Sequence, residues 1–225
     1  MTPTASHPNE KRAETTRMFE SNFFEWFSRI HPATPFVTWI PVLAYVAYRC
    51  VVRGGVGALS VAGLVVGGYL IWTITEYGLH RYVFHWTKDT AFGRRVHFLV
   101  HGVHHDFPSD KDRLVMPLGV SIPVGTAVYL LLTAAFGLHF GELLYIGFGI
   151  GYLSYDGTHY YVHHFRQTTR IGKFLKKHHM THHHADHDGG FGVSTPLWDY
   201  VFRTMPVAKA GAKAGAKRAT KKAAA

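Results

Sequence analysis

The chain alternates long uncharged apolar runs with short segments dense in histidine and charge. A first apolar stretch runs from Pro35 to Val52, interrupted by Arg49. A second, Gly54 to Thr75, is twenty-two residues without a charge. As a helix it covers about 33 Å, enough to cross a hydrocarbon core of about 30 Å. Leu114 to Gly141 is a third, with His139 counted as neutral, and Leu143 to Tyr155 follows after a single Glu142. The pattern predicts four membrane spans in two hairpins, the second turning near Gly137 to Glu142. Pro117 and Pro123 fall within the third span, where proline removes a backbone donor and kinks a helix. The carbonyls so freed must face protein or a cavity rather than lipid. Glycines recur at Gly63, Gly67 and Gly68, and at Gly147, Gly149 and Gly151, which suits close helix packing in lipid.

The flanks read differently. Residues 1–20 are polar and contain no apolar core of a signal peptide. Met18 to Phe27 is rich in aromatics, and either lies at a membrane interface as a short amphipathic helix or packs against the body. The end of the chain is an Ala/Lys/Gly segment that cannot bury a core, and is expected to be disordered. This divides the chain into an N-terminal polar and interfacial segment (1–34), a membrane-embedded domain (35–206) and a basic tail (207–225).

Composition strengthens the membrane reading. Of 225 residues, 47% are hydrophobic and only 17% charged, against about 25% charged in an average soluble domain. The single cysteine, Cys50, excludes an intramolecular disulfide framework and a cysteine-based zinc or iron–sulfur site. The net charge of +10 is concentrated at the end, where Lys209, Lys213, Lys217, Arg218, Lys221 and Lys222 are accompanied by no acid. No nucleic-acid motif goes with this charge, so no nucleic-acid partner is expected. Segment 76–113 carries six Lys/Arg, whereas the opposite side of the spans has only Arg49 and Arg53. By the positive-inside rule both termini and the histidine-rich segments face the cytoplasm.

Ten of the eighteen histidines form four clusters with metal-ligand spacing. They read His80-x4-His85, His101-x2-His104-His105, His159-x3-His163 and His179-x2-His182-His183. Positions i, i+3 and i+4 share a helix face, so each triplet can aim its imidazoles at one region. His80 and His85 are five apart and turn off a common face. Either they serve two different metals or the helix ends between them. Ten imidazoles exceed the needs of one ion and suit a pair of metals with about five each. Imidazole accepts zinc, copper, iron and nickel, so spacing does not choose the metal. His97, His164, His178, His184 and His187 adjoin the clusters; His164 can replace His163, and His178 can replace His179, in another helix register. Glu76, Asp156 and Asp199 are candidate acceptors for imidazole N–H groups. A metal transporter or sensor is the competing class, but the histidines gather at span ends on one side rather than along a route across the bilayer.

The segments EYGLHRYVFHW (76–86), HFLVHGVHHDFPSDKDRLVMP (97–117), YDGTHYYVHH (155–164) and KKHHMTHHHADHDGGFGVSTPLWDYVF (176–202) resemble the fatty acid hydroxylase superfamily of integral-membrane di-iron enzymes. Within it they look most like the sphingolipid-type fatty acid 2-hydroxylases. The resemblance implies an all-α integral membrane fold, four transmembrane helices in two hairpins under a cytosolic histidine-rich helical cap. It implies two iron ions, with zinc as a possible adventitious occupant, and O2 as co-substrate. The ligands it implies are His80, His85, His101, His104, His105, His159, His163, His179, His182 and His183. The activity it implies is hydroxylation of a lipid acyl chain, at the 2-position of a fatty acyl group; a carotenoid or sterol-type hydroxylase or a desaturase shares the architecture. No cytochrome b5 domain precedes the spans, so a separate electron donor, cytochrome b5-like or a ferredoxin system, is expected. The same feature points to a bacterial inner membrane rather than the endoplasmic reticulum. Asp112 to Pro117 and Gly190 to Trp198 are expected to line the mouth of an acyl tunnel, with Lys111 and Arg113 holding an anionic headgroup.

Overall fold

A computed structural model of the chain describes residues 15–207. The basic tail and most of the polar N-terminal stretch lie outside the described residues, so the expectations for them are not addressed by it. Among the described residues the fold is all helical. Its elements are α1 (Asn22–Phe27), α2 (Thr34–Arg53), α3 (Ala58–Leu79), α4 (Ala91–His97), α5 (Val103–Asp106), α6 (Leu118–His164), α7 (Arg170–His184) and α8 (Leu197–Val201).

Three of these helical stretches, Thr34–Arg53, Ala58–Phe84 and Lys111–His164, are long and apolar enough to cross a membrane. Many of their large apolar side chains point outward, among them Val37, Ile40, Val51, Leu59, Val66, Leu130 and Leu131. A helix apolar on both its inner and outer faces is stable only in an apolar surround, and the chain is a membrane protein. α2 carries Pro35 in its first turn, where the fixed φ suits the helix, and is capped at its end by Gly54 with φ +63°. Its buried positions Trp39, Leu43, Val46 and Cys50 lie on one stripe at spacings of three and four.

α6 is broken at Gly137, which adopts φ +78° and ψ 159°. Beyond it the chain folds back: a Cβ on Gly141 would stand 2.6 Å from the Leu132 carbonyl oxygen, and Tyr129 donates to Glu142 at 2.9 Å. The turn therefore falls at Gly137, inside the segment where it was expected, and Glu142 is already helical. Pro117 is not inside this helix. It precedes the first turn as the N-cap, where its missing N–H costs nothing, and only Pro123 is interior.

α3 lies directly against the second half of α6. A Cβ on Gly68 would meet the Leu144 carbonyl oxygen at 1.9 Å, and one on Gly147 the Val65 carbonyl oxygen at 1.9 Å. Backbone touches backbone at this crossing, so the two glycines are what allow it. Trp72 packs edge-on to Phe148 at 5.1 Å just beyond. At the Gly137 end the bundle is closed by Glu142, fully buried, with Arg53 at 2.8 Å and Arg49 at 3.1 Å. The histidine-bearing ends of α3 and α6 lie at the other end, under α4, α5, α7 and α8. α8 is fastened to α3 through the Trp198 indole N–H to Thr73 at 3.0 Å and stacking of Tyr77 on Phe202 at 5.2 Å.

The N-terminal segment is both packed and exposed. Met18 and Glu25 are buried, and Ile30 N–H donates to the Asp112 carbonyl at 2.7 Å. Phe23, Phe24, Trp26 and Phe27 stay exposed on α1. Of the two expectations for this stretch, packing against the body is what these contacts describe.

Candidate metal centre

Ten imidazoles converge into two neighbouring groups. One holds His80, His85, His101, His105 and His182, the other His104, His159, His163, His179 and His183, with the ring nitrogens of each group within 4.8 Å of one another. His105 of the first stacks on His183 of the second at 4.2 Å between ring centroids.

Each group combines two pairs and a single residue. The end of α3 contributes His80 and His85 to the first group, and the end of α6 contributes His159 and His163 to the second. The two triplets do not each aim at one region as expected; they divide. His101 and His105 serve the first group while His104 turns to the second, and His179 and His183 serve the second while His182 turns to the first. Positions i and i+4 nearly superimpose on a helix, whereas i+3 leans to the other side, so each helix runs along the seam between the groups.

His80 and His85 join one group, and the helix ends between them, with His85 as the C-cap. α3 continues as a π-helical turn over His80–Phe84, and the His85 N–H donates to the His80 carbonyl at 3.2 Å. The wider turn brings a five-residue spacing back toward one face, where a regular α-helix would not. A second π-helical turn, Phe98–Gly102, joins α4 to α5 just before His104 and His105.

The nitrogens are placed as a shared cation requires. His80 Nδ1 donates to the Phe191 carbonyl at 2.6 Å and His182 Nδ1 to the Gly189 carbonyl at 2.7 Å. That fixes the tautomer and leaves each Nε2 as a bare lone pair pointing inward. These lone pairs face other ring nitrogens: His80 to His101 at 3.0 Å, His85 to His182 at 3.0 Å. In the second group His179 Nε2 stands 2.8 Å from that of His163 and 3.1 Å from that of His183. Spacings near 3 Å are those of adjacent ligands around one ion with metal–nitrogen lengths of about 2.0–2.1 Å.

The electrostatics agree. Burial, and then the neighbouring imidazoles, push His101, His104 and His179 well below the ordinary histidine value of 6.5. The same causes take His85 to about 3. Burial takes His182 to about 4, partly opposed by its bond to Gly189. The rings are neutral near pH 7, the form that binds a metal.

The three carboxylates do not act alike. Glu76 accepts from no imidazole: it holds the backbone N–H groups of Val193 at 2.6 Å and Ser194 at 2.9 Å, together with the Ser194 hydroxyl. Asp199 accepts from His178 Nε2 at 3.1 Å, and from the N–H groups of Phe191 at 3.0 Å and Gly192 at 2.8 Å. Burial alone would raise the Asp199 carboxyl; these bonds and Thr204 hold it below its ordinary 3.8. Both carboxylates thus fix the loop whose carbonyls orient His80 and His182, and of the two Asp199 also accepts from an imidazole, that of His178 outside both groups. Asp156 is buried beside the second group, and neither of its oxygens has a hydrogen-bond partner among the described residues. His178 is therefore committed to Asp199, and His164 lies half-buried outside the second group. His97, His184 and His187 also stay outside both.

Arg113 does not reach out to a headgroup. Its side chain is 2% exposed, paired with Glu25 and with Asp110 at 3.4 Å, and donates to Ser28 at 2.9 Å. Burial alone would raise Glu25; the N–H groups of Met18 and Phe19 and the Arg113 guanidinium bring it down to about 2. The arginine ties the N-terminal segment to the loop before α6. Its role was not legible because Glu25, one of the two acids that pair with it, lies 88 positions away. Lys111 remains exposed.

A fatty acid hydroxylase family model matches residues 65–204. The chain belongs to that family of membrane lipid-hydroxylating enzymes. It is 39% identical over 203 residues to dihydroceramide fatty acyl 2-hydroxylase FAH1 of Arabidopsis thaliana, covering 88% of this chain and 83% of that one. It is 35% identical over 212 residues to fatty acid 2-hydroxylase of Macaca fascicularis, covering 84% of this chain and 56% of that one. The solved structure of full-length scs7p, in which only the hydroxylase domain is visible, superposes with a TM-score of 0.77 at 34% identity, covering 84% of this chain and 72% of that one. The plant and primate relatives are eukaryotic and lend no support to a bacterial inner membrane.

Proposed function

We propose that the chain is an O2-dependent hydroxylase acting at the 2-position of a lipid acyl chain, with one iron in each histidine group. The observation that carries this reading is the pair of adjacent five-nitrogen groups at the ends of apolar helices. The closeness of these ten nitrogens, five in each group within 4.8 Å of one another, supports reading them as the ligands. Imidazole does not discriminate iron from zinc, so zinc can occupy the same nitrogens adventitiously. Bound iron would supply the activation of O2 and the removal of hydrogen from the acyl carbon.

The depth of the site supports the choice of carbon. The 2-carbon adjoins the carboxyl or amide carbon and so lies at the polar–apolar boundary of a bilayer. His80 ends the apolar course of α3, and His159 and His163 end that of α6. The chain's own residues hold the rings in one tautomer, position the acyl chain and keep water from the reacting carbon. The break at Gly137 makes four spans of the three long apolar stretches, with the histidine end and both termini cytoplasmic. Asp112 to Pro117 and Gly190 to Trp198 flank the groups and are proposed to border the acyl tunnel. Lys111 is the exposed cation left there for an anionic headgroup.

Lipid mass spectrometry of a host making the protein tests the reading. Acyl chains gaining one oxygen, placed at the 2-position by fragmentation, are expected. A new double bond instead would make it a desaturase, and oxygen on sterols or carotenoids alone would move the substrate class.

A further inference from the structure

The segment between Asp156 and Asp186 contains no acidic residue but carries Arg166, Arg170, Lys173, Lys176 and Lys177. Four of these five cations line one open recess of about 570 Å³ between the end of α6 and α7, together with His164 and Phe165. Arg166, Lys173 and Lys177 are exposed there, and none of the three makes an ion pair among the described residues. Lys176 donates to the Phe165 carbonyl at 3.1 Å, and Gln167 to the Tyr161 carbonyl at 2.8 Å, so the floor of the recess is ordered.

The recess lies against the second histidine group. The His164 ring is 6.3 Å from that of His163, whose Nε2 stands 2.8 Å from that of His179. Two imidazoles thus separate the surface from the interior of the group.

The charged face of α7 also turns away from its apolar edge. At about 100° per residue, Lys173, Lys176 and Lys177 centre about 135° from the midpoint of the exposed Ile171 and Phe174. Phe174 stacks on His178, which is paired with Asp199 of α8, where Leu197, Tyr200 and Val201 are exposed. The apolar edge of α7 and the apolar surface of α8 therefore lie on one side, which suits the bilayer. The cations lie on another, which suits a water-soluble partner.

We propose that this basic recess is the docking site of an acidic one-electron carrier protein. The inference rests on the hydroxylase reading. Replacing an acyl C–H by C–OH puts one atom of O2 into the product. The other leaves as water, taking up two protons and two electrons that the carrier delivers in successive visits. Complementary charge steers such an encounter, and a contact of this kind weakens as salt rises.

The test uses the full chain, loaded with iron in neutral-lipid nanodiscs, and soluble cytochrome b5 and a plant-type ferredoxin as probes. The triple variant Arg166→Glu, Lys173→Glu, Lys177→Glu is expected to raise the Kd of the bound carrier by about tenfold or more and to flatten its salt dependence. Hydroxylation driven by a small uncharged reductant, and iron content, should stay at wild-type levels. Unchanged carrier binding in the variant overturns the proposal, as does a wild type that binds neither probe. So does a variant that keeps carrier binding but loses retention on phosphatidylserine vesicles, which would make the recess a lipid-headgroup site. Wild type that makes no hydroxylated product even with the small reductant would sink the hydroxylase reading instead, and the binding measurement separates the two failures.

Discussion

The two histidine groups have the same make-up, two pairs and a single residue, yet they are held in different ways. In the first, His80 and His182 donate Nδ1–H to the carbonyls of Phe191 and Gly189. That loop is anchored by Glu76 from α3 and by Asp199 from α8. In the second, Nδ1 of His104, His159, His179 and His183 has no hydrogen-bond partner among the described residues. Packing of the helices orients those four rings. A metal ligand oriented by a hydrogen bond resists rotation and gains basicity. The first group can therefore be tuned through the buried 189–194 loop, while the second depends on the register of α6 and α7.

The largest effect is expected from removing one nitrogen from either group. His182→Ala takes it from the first and His104→Ala from the second. Each should lower product by at least about 100-fold, beyond the 10–100-fold typical of changes behind a ligand. Each should also cut iron from two to about one per chain by elemental analysis, with different Mössbauer spectra because a different iron remains. A variant that keeps both irons and full turnover would strike that residue from the site.

Glu76→Gln and Asp199→Asn sharpen the comparison at the loop. Each weakens the anchor of residues 191–194 without touching a ligand. In an iron titration with two phases, one phase should weaken by about 10–100-fold and the other stay in place. Equal shifts in both phases, or none, would end the claim that the groups are held differently.

The smallest effect is the pH response of the metal-free protein. Its buried imidazoles are held below 6.5 and stay neutral when folded, whereas in the unfolded chain they protonate near 6.5. The unfolded state then binds more protons below that value, so stability is full above pH 6.5 and falls as pH drops. The decline should continue toward about 4, where His182 itself begins to take a proton in the folded state. Thermal unfolding midpoints that hold constant from pH 7 to 5 would show that these rings are solvated without metal.

Much of this was legible in the order of residues. Apolar runs too long for a soluble domain located the spans, since backbone groups in lipid must pair within their own helix. Gly137 marks the turn because a residue at positive φ there favours glycine. The ten histidines stood out because i, i+3 and i+4 spacing repeats in four places at the ends of apolar runs. The partition between groups was not legible. A regular helix has no place for two ligands five residues apart, and only the π-helical turn at His80–Phe84 supplies one. Arg113 misled for a different reason. Its flanking position suggests a headgroup contact, while its neutralising partner Glu25 comes from α1.

By itself the sequence determined the helical membrane class, the family and the set of ten imidazoles, because each depends on local composition and spacing. The tertiary structure alone decided which five nitrogens meet, which carbonyls orient them, and that Glu76 and Asp199 act through a loop. Those are contacts between α3, α6, α7 and the 189–194 loop, and nothing local to any one segment specifies its partner across the fold.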